Sequence, residues 1–165
     1  MKESGLYVIK KEFFDLIRAE GGQWDDEDCS KRPTYCCIKD RNIEGLYWAI
    51  PTSDLSHRNP QQIQKYQKYI DLPKTDNRWA YYYIGRTNKP ALFKISSCFP
   101  IIEKYIHHEF TVEDEHLIVT NPNTIQEINK RFRKILSIES RKANIFVQHI
   151  TDIKERLIEE LKEDQ

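Results

Sequence analysis

Lys31-Arg32-Pro33-Thr34-Tyr35-Cys36-Cys37-Ile38-Lys39, then a polar turn from Asp40 to Gly45, then Leu46-Tyr47-Trp48-Ala49-Ile50-Pro51-Thr52-Ser53: the reading of this chain turns on that stretch. The runs Pro33 to Lys39 and Leu46 to Pro51 are short and rich in β-branched, aromatic and apolar residues. Bounded by turn formers, they predict an antiparallel hairpin. The hairpin sets a cationic pair, Lys31 and Arg32, at the mouth of one strand and a hydroxyl pair, Thr52 and Ser53, at the end of the next. Cations and hydroxyls so placed can converge on a phosphodiester.

Outward from the hairpin the chain reads as α+β. Lys10 to Glu20 carries Phe13, Phe14, Leu16 and Ile17 at helical spacing and stops at Gly21-Gly22, a good helix end. Asn59-Pro60 opens either a short helix, Pro60 to Ile70, or a loop. Trp79 to Gly85 and Ala91 to Ser96 predict a second strand pair around Thr87-Asn88-Lys89-Pro90, and Cys98 to Ile102 a further strand broken by Pro100. After Asn121-Pro122 the period changes. Ile125, Ile128, Phe132, Ile135 and Leu136 recur as on a helix, with Thr124 and Glu127 spaced as a capping box. Ile145, Ile150, Ile153, Leu157 and Leu161 mark a second long helix. The expected architecture is a small, strongly twisted antiparallel sheet or partly closed barrel, packed by N-terminal and long C-terminal helices, in one domain over residues 1–165.

Composition bounds the function classes. No apolar stretch approaches the ~20 residues of a membrane span, and Met1 to Lys11 has no signal-peptide pattern, so a soluble, cytoplasmic protein is expected. Cys29, Cys36, Cys37 and Cys98 form no Cys-x-x-Cys pair, which predicts reduced thiols. Net charge is zero, but it is divided along the chain. His57 to Lys94 has eight Lys or Arg against two acids, and Pro122 to His149 six against two, whereas Met1 to Ser30 has eight acids and four bases. Aromatic residues interleave with the middle basic segment. Arg78, Trp79, Tyr81, Tyr82, Tyr83, Arg86, Lys89 and Lys94 set flat stacking surfaces beside phosphate-pairing cations, a pattern that suits RNA.

Cleaving RNA without a metal requires a base for the 2′-hydroxyl, charge stabilisation at phosphorus and a proton for the leaving 5′-oxygen. Arg32 can hold two phosphate oxygens at once, and Lys31 offers a point charge; as a structural pair they would instead be a solvated turn. Thr52 and Ser53 either donate to a phosphate or cap a helix beginning near Asp54. His57 is the histidine nearest this group, and histidine is the side chain whose ordinary pKa lies closest to neutrality. His107 and His108, as strand neighbours, would point to opposite faces, and no ligand cluster suggests a metal or other cofactor.

These residues resemble a known group. Arg32-Pro33 at a strand start, with Pro51-Thr52-Ser53 one strand later, resembles the small barrel toxins of the MazF and Kid class of endoribonucleases. The closer resemblance is to the CptN and ToxN group, the protein toxins of type III toxin-antitoxin systems. It is carried by Tyr47-Trp48-Ala49-Ile50-Pro51-Thr52-Ser53 and Phe93-Lys94-Ile95-Ser96-Ser97-Cys98-Phe99-Pro100-Ile101. It covers Lys31 to Ile102 in motif and the remainder in layout.

The resemblance implies a metal-independent endoribonuclease that leaves a 2′,3′-cyclic phosphate and a 5′-hydroxyl. It also implies inhibition by a repeated, folded antitoxin RNA that the toxin itself processes, held in a closed protein-RNA assembly with several toxin copies. By the same likeness Lys31 or Arg32 takes the place of the basic residue before the strand, and Thr52 and Ser53 the phosphate-proximal positions. The chain departs after Ser53: the group carries a lysine shortly after the serine, where Asp54, Leu55 and Ser56 precede His57 here. His57 is the expected substitute in proton transfer, beside Lys31 and Arg32. The alternative function is a non-catalytic RNA-binding module built on Arg78, Trp79, Tyr81, Tyr83, Arg86, Lys89 and Lys94.

Overall fold

The computed structural model describes residues 1–25 and 32–165, so Lys31 and Cys29 lie outside the described residues. The strands are β1 (Leu6–Ile9), β2 (Thr34–Lys39), β3 (Leu46–Asp54), β4 (Tyr82–Arg86), β5 (Pro90–Lys94), β6 (Phe99–Ile102), β7 (Ile106–Glu109), β8 (Thr111–Val112) and β9 (Glu115–His116). The helices are α1 (Lys11–Ala19), α2 (Pro60–Ile70), α3 (Pro122–Arg141) and α4 (Ile150–Glu163). The fold is α+β, as expected. An antiparallel seven-stranded sheet runs β4-β5-β3-β2-β1-β7, with β6 also paired to β3, while β8 and β9 form a separate small hairpin.

β3 organises this sheet. Along one edge it pairs with β2, through contacts such as Thr34 opposite Pro51 and Tyr35 opposite Ile50. Its other edge has two successive neighbours: β6 beside Leu46 to Ala49, and β5 beside Thr52 to Asp54. Ile50 and Pro51 lie where one neighbour gives way to the other. A proline, with no N–H to donate, is best tolerated in a sheet where the ladder is interrupted. β4 and β7 have no pairing with each other, so the sheet is not closed into a barrel, and of the two expected forms the antiparallel sheet is the one found.

The apolar runs of the hairpin are continuous because both faces of the sheet are covered. Trp48 and Ile50 pack with Leu6, Tyr35, Phe93, Ile128, Phe132 and Ile135 on the α3 side. Ala49 packs with Ile9, Phe13, Ile17, Phe99, Ile153 and Leu157 on the side of α1 and α4. The turn is locked by Asp40, whose carboxylate accepts from the Asn42 and Ile43 amides (2.9 and 3.0 Å) and from the Trp48 indole (3.0 Å). Gly45 closes it at φ +82°, in the left-handed region.

Helix ends follow local rules. Gly21 takes φ +87° after α1, and a Cβ on Gly22 would stand 2.7 Å from the Gln148 carbonyl oxygen, so this pair serves as both helix stop and close contact. α2 has the capping box, formed by Asn59 with Gln62. The expected box at Thr124 and Glu127 does not form. Asn121 caps α3 by accepting from the Asn123 and Thr124 amides, Pro122 takes the first helical position, and Glu127 pairs with Arg131 instead. α4 begins at Ile150, and Ile145 lies outside it.

Two bulges adjust the sheet. Between Tyr35 and Ile38, Cys36 and Cys37 together face the single residue Ala49. In β7, His107 is the extra residue between the His108 and Ile106 pairs with β1. That bulge overturns the expected opposite placement of His107 and His108, whose Nδ1 atoms lie 2.5 Å apart on the exposed side. Cys36, Cys37 and Cys98 are buried and free, and burial pushes all three thiols up. None of the described helices is long and apolar enough to cross a membrane.

The carboxylate of Glu160, buried on α4, accepts from Lys104 Nζ and Tyr105 Oη (both 2.9 Å) and from Arg156 Nε (3.3 Å). Burial alone would raise its pKa, but the donors, Lys104 first, outweigh burial and hold it below the ordinary carboxyl value. With the folded value below the unfolded one, this contribution to stability is complete above the ordinary range and lost as pH falls through the folded value. Thermal melts should therefore show Glu160→Gln less stable than wild type at neutral pH, with the difference narrowing below about pH 4. Ile50→Ala should cost about 2–5 kcal/mol in denaturant unfolding.

Candidate functional site

Carried past Pro51 to Asp54, β3 holds Thr52 and Ser53 inside a strand, opposite Phe93 and Leu92 of β5. Neither hydroxyl caps a helix, since Asn59 does that for α2. Thr52 is buried and its Oγ1 donates to the Pro33 carbonyl at 2.5 Å, which joins the two halves of the hairpin motif directly. Ser53 has the opposite polarity: its Oγ accepts from Arg58 Nη2 at 3.2 Å. The Thr52 oxygen is thus left to accept, and the Ser53 hydroxyl is left to donate.

Arg32, Thr52, Ser53, Asp54, Arg58 and Lys89 line one cleft of about 400 Å³, together with the β4–β5 turn. Lys89 Nζ pairs with Asp54 at 3.7 Å across exposed surface. Hydrogen bonds from Ser56 hold the Asp54 carboxyl below its usual range, and Lys89 adds to the effect. Asp54 is therefore an anion at neutral pH and offsets one of the cationic charges in the cleft. The arrangement provides a hydroxyl donor, a hydroxyl acceptor and guanidinium groups around a space open to an anion.

The sequence expectations meet this geometry unevenly. Arg32, Thr52, Ser53 and Lys89 converge. His57 does not line the cleft; it is exposed on the turn after β3, and the next residue, Arg58, reaches Ser53 instead. Arg58 was not among the expected residues. It directly precedes the Asn59 cap, so α2 fixes its backbone, and its guanidinium stands 5.9 Å from the Tyr66 ring centroid. A cation just ahead of an Asn-Pro helix start and close behind Ser53 was the available signal.

The aromatic and basic stretch does not form one face. Trp79 is buried on a short 3₁₀ turn, and the buried Arg131 guanidinium lies 4.4 Å from its ring centroid and 4.9 Å from that of Tyr83. Tyr81 packs edge-on to Phe146 and beside Tyr69. Arg78 is held bidentately by Asp76, whose carboxyl its hydrogen bonds bring down to about 2. Arg86 is exposed at the end of β4, and Lys94 lines a second cavity that adjoins the cleft. No group of three or more His, Cys, Asp and Glu side chains placed to hold a metal ion occurs among the described residues.

The Thr52 bond separates a structural from a chemical role. Thr52→Val leaves the Pro33 carbonyl without its donor and should cost about 1 kcal/mol in urea unfolding. Ser53→Ala, at a partly exposed position, should stay within about 0.5 kcal/mol of wild type. No protein-family model matches the chain, and no curated protein matches it.

Proposed function

We propose that the protein is a sequence-selective, metal-independent endoribonuclease for single-stranded RNA, producing 2′,3′-cyclic phosphate and 5′-hydroxyl ends. The observation that carries this reading is the pair of hydroxyls of opposite polarity on β3, Thr52 donating to Pro33 and so left to accept, Ser53 accepting from Arg58 and so left to donate, in one cleft with Arg32, Arg58 and Lys89. An attacking 2′-hydroxyl needs an acceptor to orient it, and the crowded phosphorane needs donors and positive charge.

In this scheme Thr52 Oγ1 receives the hydrogen bond of the 2′-hydroxyl, and Ser53 and Arg58 hold a non-bridging oxygen. Arg32 and Lys89 neutralise the charge that grows as the 2′-oxygen bonds to phosphorus and the bond to the 5′-oxygen breaks. Although it does not line the cleft, His57 on the exposed turn beside Arg58 is the proposed carrier of the proton from the 2′-oxygen to the leaving oxygen, with Lys31 as the second candidate for that exchange. The reading extends to a toxin of the type III toxin-antitoxin class acting in the cytoplasm. A repeated, folded antitoxin RNA would occupy the same cleft and be processed by it, in a closed assembly with several toxin copies.

Ser53→Ala and Arg58→Ala should each lower cleavage of a mixed single-stranded RNA by about 10²-fold or more, the scale seen when a transition-state donor is removed. A chelator should leave the wild-type rate unchanged. Full activity in the Ser53→Ala, Arg58→Ala double variant would refute the site. His57→Ala should lower the cleavage rate by about 10²-fold or more, the scale of a lost general acid–base. Just upstream of the coding region, a short tandem repeat ending in a terminator-like hairpin is expected; its absence counts against the type III assignment.

A further inference from the structure

A second cavity of about 240 Å³ shares a wall with the phosphate cleft, because Arg32, Pro33 and Thr52 line both. A nucleotide whose phosphate sits at Thr52 and Ser53 has this cavity as its neighbour. Trp24 and Val147 supply apolar faces, and Asp25, Lys94 and Ser97 supply polar groups.

Both apolar faces are held in place. Trp24 stacks on Phe14 at 5.1 Å between centroids and meets Phe99 edge-on at 5.3 Å. Val147 is 63% exposed, and with Ile145 it makes up the large exposed hydrophobic residues of the described chain. Yet its loop is not loose. The Val147 carbonyl accepts from the Gln23 amide at 2.7 Å, and the next residue, Gln148, is buried and donates to the Ser96 and Cys98 carbonyls (2.9 and 2.7 Å). Exposed apolar surface held rigidly in a cavity that polar side chains also line has the character of a ligand pocket.

We propose that this cavity holds the base of a nucleotide flanking the scissile phosphate, and that the base is guanine. The inference rests on the endoribonuclease reading for the occupant of the adjoining cleft. An ionised carboxylate only accepts, through two oxygens side by side. Guanine is the RNA base whose Watson–Crick edge presents two adjacent donors, N1–H and the N2 amino group, to match Asp25. Its O6 accepts from the Lys94 ammonium or the Ser97 hydroxyl. Adenine and cytosine present one amino group beside acceptors, and uracil one imino group between carbonyls. The ring stacks against Trp24 and Val147.

The test uses the full chain and hexauridylate analogues that carry 2′-O-methyl groups throughout, so that no attack occurs, with guanine, inosine or adenine at one position. Fluorescence anisotropy should show guanine bound about tenfold tighter than inosine, which lacks only the N2 amino group. Asp25→Asn should abolish that gap, and Val147→Ser, at an exposed site, should weaken the guanine and inosine ligands alike. Equal binding of guanine and inosine by wild type, or a gap that survives Asp25→Asn, overturns the proposal. Mapping cleavage of ordinary RNA in parallel keeps the two readings apart. Cleavage without guanine at the flanking position overturns the pocket alone, whereas guanine-selective binding without cleavage supports the pocket and overturns the enzyme.

Discussion

One strand with two successive neighbours carries the rest of the structure. β3 is bonded to β2 along one edge, while its other edge passes from β6 to β5 at Ile50 and Pro51. The residues before that change, Trp48 and Ala49, are buried against α3 on one face and against α1 and α4 on the other. The residues after it, Thr52 and Ser53, project their hydroxyls where β2 begins and the β4–β5 hairpin turns. The strand that anchors the core therefore also presents the site, and a shift in its register would disturb both.

The polarity of the two hydroxyls follows from this placement. Thr52 is drawn to the Pro33 carbonyl because Pro33 directly precedes the residue paired with Pro51. Ser53, the next residue along the strand, meets Arg58, which arrives on the turn into α2. Neither partner comes from the cationic pair that first drew notice. Of that pair Arg32 lines both the cleft and the adjoining cavity, and so stands between the proposed phosphate and base positions.

Much of this was legible in the sequence where a period or a punctuating residue was strong. The hairpin and the two C-terminal helices have clear signals, whereas Asn59-Pro60 left helix and loop both open and β3 runs on past Pro51 to Asp54. β1 was missed because its four residues, Leu6 to Ile9, are all buried and show no alternation. β7 was given no bounds, although His107 and His108 were read as strand neighbours, because Ile-His-His-Glu has no apolar face. The Thr124 box had the right spacing, but Pro122 at the first helical position already assigned the cap to Asn121. Trp79 and Tyr83 read as exposed stacking residues because nothing local reveals that Arg131, far along the chain, is buried against their rings. Arg58 was overlooked for a related reason: which of two adjacent residues, His57 or Arg58, turns toward Ser53 depends on the turn into α2 and not on their spacing.

The chemistry of the cut ends tests the central claim most directly. Pure protein incubated with end-labelled single-stranded RNA should release fragments that end in a 2′,3′-cyclic phosphate and begin with a 5′-hydroxyl, the products of attack by the neighbouring 2′-oxygen. Fragments with 5′-phosphate and 3′-hydroxyl ends, or RNA left intact by folded protein, would contradict the account.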